Sequence, residues 1–97
     1  MKDLVIAIEE TAKAERLASY FNRAQARILL GEPRLAIDDI DAAIALAPNN
    51  ANLLYMRGGA HQSNGNPSAA LRDYEAALAL SPDNATFRAA RDTLAKR

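Results

Sequence analysis

Cysteine is absent from this 97-residue chain, which excludes disulfides and thiolate metal sites and suits a reducing, cytoplasmic compartment. Net charge is absent as well. Twelve basic residues balance twelve acidic ones, so no general field draws nucleic acid or an anionic membrane. Long apolar runs are missing. The N-terminal run Leu4–Ile8 meets Glu9 and Glu10 at once. It is shorter than the roughly seven residues of a secretion-signal core and far shorter than the roughly 20 of a membrane span. No nucleophile–base pair and no cluster with metal-ligand spacing occurs, so the chain reads as a non-enzyme that needs no cofactor and no metal. Glycine and proline do not appear before Gly31.

What is present is ordinary for a soluble globular chain: 49% hydrophobic and 25% charged residues. The length suits one domain, and a chain this short buries roughly 60–70% of its unfolded surface. Abundant alanine favours helix and lets helices approach closely.

Two stretches organise the chain. Gly31-Glu32-Pro33 runs through Ala36, Ile40 and Ala43 to Pro48. Gly65-Asn66-Pro67 runs through Ala70, Tyr74 and Ala77 to Pro82, each member 34 residues after its counterpart. Residues 17–50 and 51–84 align without a gap, with identities that include Arg23/Arg57, Asp39/Asp73 and Asn50/Asn84. A period of this length marks stacked helical hairpins. Gly31 and Gly65 end first helices, as glycine does just past a helix C-terminus. Pro33 and Pro67 open second helices, where a fixed φ and a missing N–H are tolerated. The reading gives helices over 17–30, about 34–46, 51–64, about 68–80 and 85–96, with Asn84 capping the last. Its apolar face is Phe87, Ala90 and Leu94; Arg88, Asp92 and Lys96 sit on the other. In residues 1–16, Leu4, Ile8 and Ala12 share one helical face, whereas Tyr20, Ala24 and Ile28 share another. That shift predicts a break near Glu10–Ala14 with Thr11 as N-cap. One uninterrupted helix and a strand over Leu4–Ile8 are the competing readings.

The pattern resembles the tetratricopeptide repeat, W-x₂-L-G-x₂-Y, then A-x₃-F, then P. The first repeat reads Tyr20-x₂-Arg23-Ala24-x₂-Arg27, then Ala36-x₃-Ile40, Ala43 and Pro48. The second reads Leu54-x₂-Arg57-Gly58-x₂-His61, then Ala70-x₃-Tyr74, Ala77 and Pro82. Arg23, Arg27, Arg57 and His61 depart from the pattern and read as ordinary variation. The resemblance implies an all-α, right-handed stack of antiparallel hairpins: 1–16 as an N-terminal helical segment, 17–50 and 51–84 as two full repeats, 85–97 as a capping helix. It further implies a concave face lined by Ala18, Phe21, Asn22, Gln25, Ile28 and Leu29, then by Asn52, Tyr55, Met56, Gly59, Gln62 and Ser63.

Other candidate sites have plain readings. His61 stands alone and reads as packing. Asp38, Asp39 and Asp41 read as a solvated acidic face, with Arg34 placed to pair with Asp38. Gly58-Gly59 lies inside a helix pattern and is no phosphate loop. Gly58 serves close packing, and Gly59 leaves room for a ligand backbone.

These features point to a scaffold that binds a peptide or helix of a partner protein. The alternative is a self-associating structural module, a homo-oligomer such as a homodimer or a fragment of a larger protein of this family. Leu4, Val5, Ile6 and Ile8 either fold over the first repeat or pack on a second copy, and the acidic N-terminal and basic C-terminal ends suit head-to-tail contact. Phe21, Tyr55 and Met56 read as bulk surplus to hairpin packing and therefore as contact residues. Some chaperone-binding members of the family grip acidic EEVD-like tails with Lys, Arg and Asn. Asn22 matches one such Asn, but the cationic positions fall on Asn52 and Met56, so tight binding of such tails is not expected. Ala36, Ala43, Ala70 and Ala77 are expected at close helix crossings. Replacing Ala70 with Leu overpacks its crossing and should cost about 1–3 kcal/mol; an unchanged melting temperature would show Ala70 facing solvent instead.

Overall fold

A computed structural model describes the backbone of residues 2–96 and the side chains of residues 7–96. The packing expected of Leu4, Val5 and Ile6 lies outside the described side chains. Five helices follow one another: α1 (Lys2–Leu29), α2 (Pro33–Leu46), α3 (Ala51–Ser63), α4 (Pro67–Leu80) and α5 (Ala85–Ala95). Among the described residues there is no strand. Each helix packs on the next in chain order, so two hairpins, α1–α2 and α3–α4, stack and α5 closes the end.

The punctuation acts as its residue types dictate. Gly31 and Gly65 both take a φ of 77°, a left-handed conformation suited to glycine. Each anchors the same C-terminal hydrogen-bond pair. Glu32 N–H donates to Arg27 O (2.8 Å) and Gly31 N–H to Ile28 O (3.1 Å); Asn66 N–H donates to His61 O (2.8 Å) and Gly65 N–H to Gln62 O (3.1 Å). Pro33 and Pro67 are the first residues of α2 and α4. The Oδ1 atoms of Asn50, Asn66 and Asn84 cap the following helices by accepting from the N–H groups of Leu53, Ala69 and Phe87. Pro48 and Pro82 lie in the turns between hairpins.

The N-terminal expectation needs correction. No break occurs near Glu10–Ala14: α1 is one helix of 28 residues. Thr11 is not an N-cap, because its Oγ1 donates back to Ala7 O at 2.8 Å, inside the helix. The apolar phase was a poor guide because phase matters only where a face is packed. Residues 7–11 are all exposed, Ile8 among them at 61%, so nothing there constrains the phase and no glycine or proline interrupts the helix.

The core runs between hairpins. Ala24, Ala36, Ile40, Ala43, Leu53 and Ala60 form its first part; Leu54, Ala77, Leu78 and Phe87 the second; Ala70, Tyr74 and Leu94 the third. Ala36, Ala43, Ala70 and Ala77 have no exposed surface at all, as close helix crossings require.

The acidic group on α2 also differs from expectation. Asp39 is 2% exposed, not solvated. Arg23 Nε and Nη2 donate to its Oδ1 at 2.9 and 2.6 Å, and Arg27 Nη1 donates to its Oδ2 at 2.9 Å. The second hairpin repeats the arrangement: Arg57 Nε and Nη2 fork onto the two oxygens of Asp73 at 2.9 and 2.8 Å. His61 Nε2 stands 3.7 Å from Asp73 Oδ2. Arg57 Nη1 also donates to Asp41 on α2 at 2.9 Å, tying the two hairpins together. Among the described residues Arg34 and Asp38 form no ion pair, and Asp92 pairs with Arg91 rather than Arg88. The side-chain hydrogen bonds to Asp39 and Asp73 raise the pKa of Arg23 and Arg57 above the usual guanidinium value. The four departures from the repeat pattern, Arg23, Arg27, Arg57 and His61, are therefore the residues that face the two buried carboxylates. Among the described residues no buried carboxylate oxygen is left without a partner.

Adjacent glycines make opposite predictions. A Cβ on Gly58 would sit 2.5 Å from Tyr74 Cε1, whereas a Cβ on Gly59 meets nothing closer than the Tyr74 hydroxyl at 3.9 Å. Gly58→Ala should lower stability by about 1–3 kcal/mol through overpacking. Gly59→Ala should raise it by roughly 0.5–1 kcal/mol, because alanine is the better helix former. Urea titration of both variants checks the pair, and equal shifts of the same sign would contradict the geometry.

Candidate functional site

The expected contact residues lie on α1 and α3, and each has a definite place there. Asn22 and Gln25 are exposed on α1, and Ile28 is 37% exposed near its end. Phe21 is half-buried: one side packs on the first part of the core. With Leu17, Ala18, Asn22 and Leu53 it lines an apolar recess of about 280 Å³. Asn52 is exposed and belongs to a different depression, bordered by the two inter-hairpin turns and Phe87.

Tyr55 and Met56 are not surplus bulk. Tyr55 is half-buried, its ring centroid 5.6 Å from that of Tyr74 and 5.1 Å from that of Phe87. It joins the second and third parts of the core, and Met56 packs on the first. The sequence suggested otherwise because Tyr20, Leu54, Ile40 and Tyr74 seemed to fill each hairpin. What needs filling is the seam between α3 and α5, and Tyr55 and Phe87 meet there. Gln62 is exposed but engaged: its Oε1 accepts from the Tyr74 hydroxyl at 2.9 Å. Burial, with Tyr55 and Asp73 nearby, raises the Tyr74 pKa, so this hydroxyl keeps its proton and its role as donor at neutral pH. A Cβ on Gly59 would make an ordinary van der Waals contact with that hydroxyl, at 3.9 Å.

The expected residues therefore do not line one cavity. They spread over a surface with a recess at the α1 end and a shallow depression at the α5 end. The latter is formed by Tyr55 with Ala85, Thr86, Ala89, Ala90 and Thr93. The α5 contribution was missed in the sequence reading. Its signal was available, since Arg91 stands 34 residues after Arg57 as Arg57 stands after Arg23. Chemically the surface offers amides, hydroxyls and apolar side chains. Among the described residues no group of three His, Cys, Asp or Glu is placed to hold a metal ion, and no helix is long and apolar enough to cross a membrane.

Comparison with known proteins agrees with this geometry. Family models described as tetratricopeptide repeat match residues 17–50 and 51–84. Among solved structures, the chain is similar to the first TPR of Spaghetti (RPAP3) bound to the HSP90 peptide SRMEEVD. That match has a TM-score of 0.77 and 26% identity and covers 82% of this chain. The chain spans 64% of that structure's length. No curated protein matches the sequence. Two matched repeats, the capped hairpins and this structural likeness together place the chain in the tetratricopeptide repeat family.

Proposed function

We propose that the chain is a non-catalytic scaffold that holds a peptide or helix of a partner protein against the inner faces of α1, α3 and α5. The observation that carries this reading is the likeness to a repeat domain that itself holds a peptide. The surface chemistry supports it. Asn22, Gln25, Asn52 and Gln62 present amides that can bond a peptide backbone, and Phe21, Ile28 and the exposed parts of Tyr55 and Met56 present apolar area beside them. Gly59 keeps a gap among them where a partner backbone can approach.

The partner differs in kind from the acidic tail held by the similar structure. Arg23, Arg27 and Arg57 are committed to Asp39, Asp73 and Asp41. Asn52 and Met56 carry no charge. A second reading, self-association as a homodimer, draws on the exposed Ile8 of α1. Light scattering separates the two, because a monomer at high concentration removes the dimer.

Two measurements test the scaffold reading. Titration calorimetry with SRMEEVD should show no micromolar binding, and micromolar affinity would contradict the charge argument. Peptides selected by display against the wild-type chain should bind Gly59→Arg at least about tenfold more weakly, the size of effect expected when a contact centre is blocked. The variant's melting temperature should not fall, because a Cβ at this helical position makes only an ordinary contact with the Tyr74 hydroxyl. Equal affinity for both proteins would place the bound peptide elsewhere.

A further inference from the structure

Four of the large aliphatic residues that stay exposed gather at the tip of the first hairpin. They are Leu29 (87%), Leu30 (71%) and Leu35 (43%), with Ile28 (37%) directly before Leu29. The repeat itself supplies the control. At the tip of the second hairpin the same positions hold Ser63, Asn64, Ala69 and Gln62. Both tips share the glycine φ and the same pair of closing hydrogen bonds, so the turn does not require leucine. The first tip is also held firmly, since Arg27 Nη1 reaches Leu35 O at 3.4 Å from its ion pair with Asp39.

Size and setting narrow what covers these side chains. Four partly exposed aliphatic side chains present roughly 400 Å², the scale of a functional patch on a monomer. A stable interface needs about 800 Å² from each partner, so the tip alone is too small to hold a second copy. Glu32, Arg34 and Asp38 around it are exposed and of mixed sign, which gives no net attraction for an anionic membrane or a charged tail. Ile28 and Leu29 continue the inner face of α1 that begins at Phe21. From Phe21 to Leu29 is roughly 12 Å along the helix at 1.5 Å per residue, which a helix with aliphatic residues at i and i+7 matches.

We propose that the tip of the first hairpin extends the concave surface and takes the aliphatic stripe of an amphipathic helix from a partner protein. That helix lies along α1 from Phe21 to Leu29 and ends over Leu30 and Leu35. The inference rests on the concave-face reading and names its partner class.

The test grafts the second tip onto the first: Leu29→Ser, Leu30→Asn and Leu35→Ala together, residues the same turn already accommodates. The probe is an uncharged-on-balance helical peptide of about 16 residues with leucine at i, i+4, i+7 and i+11, alongside a leucine-to-serine control. Two-dimensional NMR should show shifts at Phe21, Leu29, Leu30 and Leu35 with the leucine peptide only. The triple variant should melt like wild type and bind about tenfold or more weakly. Shifts confined to Asn52, Met56 and Gly59 and unaffected by the graft would overturn the tip while leaving the concave reading standing. Absence of binding would overturn the tip as well, the concave reading then being decided by the Gly59→Arg comparison. Graft-sensitive binding to phosphatidylcholine or phosphatidylglycerol vesicles, or a wild-type dimer that the graft dissolves, would replace the helix with a membrane or a second copy.

Discussion

A buried carboxylate that must find a guanidinium is the constraint on which each hairpin depends. Asp39 and Asp73 are almost wholly removed from water. An ion taken out of water loses several kcal/mol of hydration, and only close, well-aligned partners offset that loss. Arg23 and Arg57 supply them from the first helix of each hairpin, sixteen residues upstream. The pair joins helices that the short turns alone leave free to slide or rotate, because a shift of one residue would carry the arginine away from the carboxylate. The two carboxylates are not equally served. Asp39 receives two arginines, whereas Asp73 receives one arginine and a histidine at 3.7 Å, and its arginine is shared with Asp41. The first hairpin is thus the more strongly tied, and Arg57, besides forking onto Asp73, also links the two hairpins through Asp41.

Small residues act together with this charge ladder. Ala24, Gly58, Ala36, Ala43, Ala70 and Ala77 let the helices approach closely. Tyr74 lies over Gly58 and reaches Gln62 with its hydroxyl, so one ring sets the spacing of the second hairpin and also orients an amide on the inner surface. Core and surface share residues here. Tyr55 and Met56 are half in each, which is why removing them would test folding and binding at once and why Gly59, where an added Cβ makes only one ordinary contact, is the cleaner probe.

The legible part of the fold was everything carried by local chemistry. Gly31, Gly65, Pro33 and Pro67 mark turns and helix starts because φ and the missing N–H act within a few residues. Alanine at 36, 43, 70 and 77 marks crossings because the repeat displays each twice. What escaped was tertiary. Asp39 beside Asp38 and Asp41 looks like a solvated cluster until its arginine partners on α1 are known, although the co-repetition of Arg23/Arg57 with Asp39/Asp73 was a readable clue. The break expected near Thr11 rested on an apolar phase that no packing enforces. The seam filled by Tyr55 and Phe87 was invisible because it lies between the last hairpin and a helix whose own repeat register had not been followed to Arg91.

The repeated arginine–aspartate pair, and not turn chemistry or alanine packing alone, holds the hairpins in register. A double-mutant cycle on Arg57→Met and Asp73→Leu, read by urea unfolding, tests it most directly. The account predicts that each single change destabilises, Arg57→Met the more because it strands a buried carboxylate. The double variant should recover much of the loss, with a coupling of about 1–3 kcal/mol between the sites. Additive effects would contradict the claim, because they would show two charges that sit close together without holding each other.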